Sequence, residues 1–281
     1  MPAFGSAVKS LEKVVVGVPG PVNKGEARIT NLPWTVSEKD MVEALNVGSV
    51  KLLNDLEATA YGLPFLPPED VYMLNDQRPD PHANKVIIAP GTGLGEAVLF
   101  AHEGKYIASA SEGGHVDYAP HNLFQLELLR YMMGKFEHVS YERVCSGIGI
   151  PHIYDFLRTQ SYIHPNPNIA VQMETVEDRT PVIVTAALNM ECEVCVETLN
   201  VFVSILGAEA GNMALNVLAR GGVYLGGGIP PRILEKLKDG MFMAAFINKG
   251  RFADMLSKIP VYVILNDKTA LFGAACYALG L

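Results

Sequence analysis

The sequence predicts an α/β protein built as two domains. Three observations carry this. Short apolar, β-branched runs alternate with helical patterns along the chain, as strands alternating with helices do. The chain has 281 residues, and at about 150 residues per domain that length suits two. Hydrophobic residues make up 49% and charged residues 19% of it, which supplies a large core and excludes a long disordered chain.

Val14-Val15-Val16-Gly17-Val18 is a buried strand stopped by Pro19-Gly20-Pro21. Ser37-Glu38-Lys39-Asp40 has an N-cap residue with an acid three places on and opens a helix to Leu45. Val50–Leu53 is a second strand, and 56–63 reads as helix. Pro64, Pro67 and Pro68 then mark a domain boundary. Val86–Ala89 and Ala97–Phe100 flank a glycine-rich connection and read as a hairpin, with Tyr106–Ser109 as a third strand. Residues 122–157 are mostly helical, broken near Gly134 and Gly147-Ile148-Gly149. Ile163–Ile169, with two prolines and two asparagines, reads as a loop. One or two long helices fill 181–220. Gly222–Leu225 is a strand ended by Gly226-Gly227-Gly228, Val261–Leu265 is the last strand, and Leu271–Leu279 is a closing helix.

Composition narrows the function. The formal net charge is -8, from 30 acidic and 22 basic residues, and no Lys/Arg run is visible, which argues against a nucleic-acid surface. The most apolar long segment, Val196 to Ala219, is interrupted by Glu197, Glu209 and Asn212 and reads as a buried helix, not a membrane span. The N-terminus lacks a basic-then-apolar export pattern. Four cysteines do not make a disulfide framework, so a reducing cytoplasm is the expected location.

Several segments could carry chemistry. In Gly91-Thr92-Gly93-Leu94-Gly95 the glycines free backbone N–H groups for phosphate oxygens and Thr92 adds a hydroxyl; a plain hairpin turn is the competing reading. It is not a Rossmann fingerprint, because a strand follows, and no Gly-Lys-Ser/Thr triplet makes it a Walker loop. Asn54-Asp55 ends a strand, where α/β proteins place ligands. Asp55 could accept a proton from a substrate hydroxyl or simply N-cap the next helix, and local sequence leaves both open. Glu112-Gly113-Gly114-His115 can aim a carboxylate and an imidazole into one pocket or form a solvated turn. No second His or Cys stands at ligand spacing from His115, so side-chain metal binding is not expected. Cys192-x-x-Cys195 lies in a helical pattern and reads as core packing, as do Cys145 and Cys276. Gly226–Gly228 is either a loop or a flat backbone surface for a purine. Trp34, the sole tryptophan, reads as a packing residue.

Taken in order, these segments resemble the bacterial-type ATP-dependent glucokinases of the actin/hexokinase/Hsp70-like superfamily. The likeness runs from Val14 to about Gly273. It rests on Gly17-Val18-Pro19-Gly20-Pro21, Asn31-Leu32-Pro33-Trp34, Leu53-Asn54-Asp55, the Gly91–Gly95 turn and Glu112-Gly113-Gly114-His115-Val116-Asp117. His138-Val139-Ser140-Tyr141-Glu142-Arg143, Ser146-Gly147 and Gly226-Gly227-Gly228-Ile229-Pro230-Pro231-Arg232 complete it. The related ROK sugar kinases share several of these, but their zinc motif is a denser Cys/His cluster that Cys192 and Cys195 do not reproduce.

The resemblance implies a two-domain actin/hexokinase-like (ribonuclease H-like) fold. Its small domain would span 1–65 plus 266–281, its large domain 66–265, with the ligand cleft between them. It implies phosphorylation of glucose at the 6-hydroxyl by ATP, with Mg²⁺ arriving on the nucleotide and a homodimer as the assembly. Asp55 would be the catalytic base. Asn54, Glu112, His115 and Glu142 would bond the other sugar hydroxyls. Gly91, Thr92, Gly93 and Gly95 would hold phosphate, and Gly226, Gly227 and Gly228 would hold adenosine. Family members also carry Asp-x-Gly-Gly-Thr on an initial strand, as a first phosphate loop. That motif is absent here, where the sequence opens at Met1-Pro2. The expectation is therefore a small domain lacking its first hairpin, with an exposed sheet edge. A non-catalytic sugar-binding relic and a kinase for mannose or an amino sugar are the alternatives.

Overall fold

The computed structural model describes residues 11–29, 32–160, 163–164 and 166–281. Asn31 of the Asn-Leu-Pro-Trp segment and the opening Met1-Pro2 lie outside them. The chain divides into two compact units. The first takes the described part of Met1–Val71 with Ala97–Ala110 and Asn266–Leu281; the second takes Tyr72–Glu96 and Ser111–Leu265.

In chain order the elements begin with β1 (Lys13–Val18), which pairs in parallel with β5 (Ser49–Asn54), Val14 opposite Val50 and Val18 opposite Asn54. Between them lie three short antiparallel strands, β2 (Val22–Asn23), β3 (Glu26–Arg28) and β4 (Thr35–Ser37), and the helix α1 (Glu38–Leu45). Ser37 caps α1 as its spacing predicts, its hydroxyl accepting from the Asp40 N–H at 3.4 Å. Glu38 ties the helix to β5, accepting from the Leu52 N–H at 2.9 Å and pairing with Lys51 at 3.3 Å. The next helix, α2 (Asp55–Gly62), follows β5 with no intervening loop.

The strands β6 (Val71–Met73), β7 (Lys85–Pro90), β8 (Leu94–His102) and β9 (Lys105–Ser111) come next. A two-residue turn at Glu103 and Gly104, both with positive φ, closes β8 onto β9 as a type I′ hairpin does. The helices α3 (Leu123–Met133), α4 (Gly149–Leu157), α5 (Pro167–Glu174), α6 (Thr180–Leu188) and α7 (Glu193–Val217) follow in the second unit. The expectation of a loop through Ile169 is corrected at Pro167. Proline is favoured as the first helical residue because its missing N–H costs nothing there. Asn166 caps that turn, accepting from the Asn168 N–H at 3.0 Å.

The chain ends with β10 (Gly222–Leu225), the short helices α8 (Leu234–Leu237), α9 (Met241–Ile247) and α10 (Ala253–Ser257), then β11 (Val261–Ile264) and α11 (Thr269–Leu279). In the second unit β10 lies between β7 and β11 and is parallel to both, with Val223 opposite Val86 and Val261. Every residue of these three strands is buried. That accounts for their unbroken apolar runs, since a parallel sheet covered on both faces has no polar side. The helix α7, long and apolar enough to cross a bilayer by length and composition, is mostly buried. It packs against α4, α6 and α9. In the first unit α11 packs on α2 and β1, with Tyr61 and Tyr277 edge to face at 4.9 Å.

Candidate functional site

In the first unit the site residues sit at the carboxyl end of β5. Asn54, not Asp55, caps α2. Its side-chain oxygen accepts from the Leu56 and Glu57 N–H groups at 2.9 and 3.2 Å, and Glu57 accepts from the Asn54 N–H at 3.4 Å. This is a reciprocal capping box. The Asn54 amide nitrogen donates to the Gly20 carbonyl at 3.2 Å, which fixes the ring of atoms around the strand end. Asp55 is thereby left as the first helical residue. Its carboxylate accepts from the Leu56 N–H at 2.9 Å and lies at the positive end of the helix. Burial raises its pKa above the ordinary carboxylate range, and the bonds from Leu56 and Asn54 oppose that rise. A half-buried carboxylate with raised basicity is what proton abstraction from a hydroxyl asks for.

In the second unit Glu112, His115 and Glu142 come together. The His115 ring stands 3.8 Å from Glu112 through Nδ1 and 3.7 Å from Glu142 through Nε2. Those separations are too long for hydrogen bonds among the three. The group thus presents polar atoms facing one another without satisfying one another, an arrangement suited to the hydroxyls of a ligand. Glu142 is the buried wall, its side chain 20% exposed, while His115 and Glu112 are 58% and 69% exposed and form the open rim. His115 and Glu142 also line a recess of about 370 Å³ with Lys135, Phe136, Ser140 and Arg143.

The glycine turn after β7 meets the same wall. Glu142 Oε2 accepts from the Leu94 N–H at 3.0 Å, and any Cβ on Gly93 would collide with that oxygen. The turn is closed by a bond from the Gly91 N–H to the Gly93 carbonyl at 2.8 Å. It is braced from outside by the Gly147 N–H on the Gly91 carbonyl at 2.7 Å and the Ile148 N–H on the Thr92 carbonyl at 3.2 Å. Thr92 is exposed. The Gly226–Gly228 segment is adjacent, because β7 and β10 are parallel neighbours and both end there. The Gly226 N–H donates to the Ile88 carbonyl at 2.9 Å, and the Ile229 N–H to the Pro90 carbonyl at 3.3 Å. Both glycine segments therefore stand at the carboxyl end of the sheet, the usual ligand edge of such folds.

Other sequence readings are corrected or extended. Trp34 does not pack: it is 62% exposed. Cys192 is the N-cap residue of α7 rather than a residue within it; all four cysteines are buried and free. Burial pushes the Cys195 and Cys145 thiols well up, which makes them inert. Among the described residues no group of three or more His, Cys, Asp or Glu is placed to hold a metal ion. Two features went unread in the sequence. One is the brace from Ser146-Gly147-Ile148 behind the glycine turn. The other is a buried pair of carboxyls, Glu96 and Glu209, 4% exposed each. A lone acid at an inward position of β8 and another inside an apolar helix were the available signals.

A solved glucokinase from an Antarctic psychrotroph is similar over 95% of this chain and 80% of its own, with a TM-score of 0.81 and 31% sequence identity. A ROK family glucokinase from Streptomyces griseus, solved with glucose and AMPPNP, covers 96% of this chain and 82% of its own at a TM-score of 0.64 and 20% identity. The fold is that of a sugar kinase of the actin/hexokinase-like class. More narrowly, the chain belongs to the glucokinase family, whose profile matches residues 3–280. The glucokinase of Nostoc punctiforme is 38% identical over 279 residues, 95% of this chain and 82% of that relative.

Proposed function

We propose that the chain transfers the γ-phosphoryl group of ATP to the 6-hydroxyl of glucose. The observation that carries this is the convergence of Glu112, His115 and Glu142, unsatisfied by one another, beside a glycine turn that Glu142 itself bonds. Sugar hydroxyls pair with such groups, and a sugar lacking one hydroxyl leaves a site group unpaired, which is a large penalty. Family membership supports the same reading.

In this reading Asn54, Glu112, His115 and Glu142 bond the hydroxyls that do not react. Asp55 orients the 6-hydroxyl and takes its proton as the sugar oxygen bonds to the γ-phosphorus. The bond from that phosphorus to the β,γ-bridging oxygen breaks, and ADP leaves with the electron pair. Little covalent help is needed, so positioning and charge neutralisation supply most of the rate. Gly91, Thr92, Gly93 and Gly95 hold the phosphates; Gly226, Gly227 and Gly228 face the adenosine. The open space beside Gly91 and Gly228, where an added Cβ would meet nothing within 4 Å, leaves room for a nucleotide. Mg²⁺ comes bound to ATP and neutralises phosphate charge. The reading includes a cytoplasmic homodimer, which sedimentation would test.

A coupled assay for glucose 6-phosphate, with calorimetry of glucose in the presence and absence of Mg-ATP, tests the proposal. Turnover with glucose supports it. Glucose binding without turnover favours a sugar-binding relic, and faster turnover of mannose or an amino sugar moves the assignment to that hexose.

A further inference from the structure

Two residues of β8, Leu94 and Glu96, underlie both walls of the sugar site. The Leu94 N–H holds Glu142, and the Leu94 carbonyl lies directly against Gly114. Two residues on, the Glu96 carboxyl lies against Gly113, where an added Cβ would fall on Glu96 Oε2. The Gly113 N–H, for its part, donates to the Ser111 hydroxyl at 2.9 Å. The turn that carries Glu112 and His115 is therefore seated on Glu96, which is 4% exposed and whose Oε1 is buried without a hydrogen-bond partner.

Behind Glu96 stands Glu209 of α7, and the two are unequally served. Glu209 accepts from the Asn212 amide at 2.9 Å and from the Tyr141 hydroxyl, and Lys249 acts on its charge. Lys249 also donates to the Asn212 carbonyl oxygen, joining α7 to the end of α9. Glu96 faces Glu209 and the Cys145 thiol, with no donor on Oε1. Burial raises the pKa of Glu209 as well, but its donors and Lys249 oppose that rise, so of two like charges in one buried space Glu209 keeps the negative charge more readily and Glu96 the proton.

We propose that Glu96 is a positioning residue for sugar recognition: its buried carboxyl group fills the space beneath Gly113 and so sets the Glu112–His115 turn against Glu142. The inference rests on the glucose-kinase reading above and adds a layer to it. Burial, and then the charge of Glu209, push the Glu96 carboxyl up to about 8. Above that pH a second charge forms beneath the turn, next to Glu209 and Cys145. Tyr141, Glu142 and Lys249 on the neighbouring elements, and Glu112 and His115 on the turn itself, are the other groups around it. The turn then loosens and glucose binds less well, while Asp55 and the nucleotide residues are untouched.

Steady-state kinetics of the wild type, Glu96→Gln and Glu96→Ala between pH 7 and 9 test this. The wild-type KM for glucose should rise on the order of fivefold to tenfold across the range, with kcat and the KM for ATP changing by less than about twofold. Glu96→Gln, uncharged at every pH, should keep its KM for glucose flat. Glu96→Ala should raise KM for glucose roughly tenfold already at pH 7, a cost in the range of one lost buried polar contact. A Glu96→Gln profile that rises as the wild type does overturns the proposal, as does a Glu96→Ala enzyme with wild-type KM. If the alanine variant does not fold, the glutamine comparison decides alone. A wild type that turns over glucose with a KM flat to pH 9 refutes only the role of Glu96. A wild type with no glucose-dependent turnover removes the glucose-kinase reading, and this inference with it.

Discussion

Replacing Glu96 by Gln should make the protein more stable at neutral and alkaline pH, by an amount that grows with pH. The wild-type carboxyl is raised from 4.5 to about 8 in the folded protein. Between those values the folded chain binds a proton that the unfolded chain has released, so stability falls as pH rises. The contribution is fully present below pH 4.5 and is lost as pH passes about 8. At 1.36 kcal/mol per pH unit the window is worth about 5 kcal/mol as a ceiling. Glutamine does not titrate. Whatever its amide costs in that space is a fixed offset, and the titrating groups not coupled to Glu96 cancel in the difference between the two proteins. At about 2 °C per kcal/mol for a chain of this size, the Tm of Glu96→Gln minus that of wild type should climb by about 5–10 °C from pH 5 to pH 8.5. Scanning calorimetry or fluorescence melts of both proteins at five or six pH values measure it. A difference independent of pH would show that Glu96 is ionised in the fold and that the charge assignment to Glu209 is wrong.

Two further outcomes follow from the packing. Gly93→Ala drives a methyl group onto Glu142 Oε2 and displaces it from the Leu94 N–H; a bond to a charged acceptor is worth about 1.5–3 kcal/mol, so glucose affinity should fall roughly 10- to 100-fold in titration calorimetry. Unchanged affinity would refute the proposed role of Glu142 in holding glucose. Phe202→Ala empties a fully buried position on α7 and should cost about 3–5 kcal/mol in urea unfolding; a loss under about 1 kcal/mol would mean the α7 core is loosely packed.

The elements long enough to show a period were legible. The apolar runs of β7, β10 and β11 and the Ser37 cap of α1 stand where the residues put them. Strands β2, β3 and β4 were not legible, because two or three residues carry no alternation. The short helices between β10 and β11, of four, seven and five residues, show too little of a helical period to be read. Pro167 misled because a proline breaks a helix from inside but starts one at its first position. Asp55 was left open between cap and base because local sequence does not say which of two adjacent Asx residues caps. The Asn54–Glu57 box decides it for Asn54. Residue type alone makes Trp34 a packing residue, and its position just before a short strand leaves it exposed. For the site, the approach of the Glu112–His115 turn to Glu142 was available only through a family resemblance, since 26 residues lie between His115 and Glu142. The Glu96–Glu209 pair is a tertiary contact with no local motif, and only coordinates bring it to light.

In the proposed reaction Asp55 takes the proton from a glucose that the other four polar residues hold. Asp55→Asn tests it most directly, because the substitution removes the proton acceptor and little volume. Calorimetric glucose affinity should stay within about threefold of wild type while kcat drops roughly 10²- to 10⁴-fold. Turnover close to wild type in that variant would contradict the account.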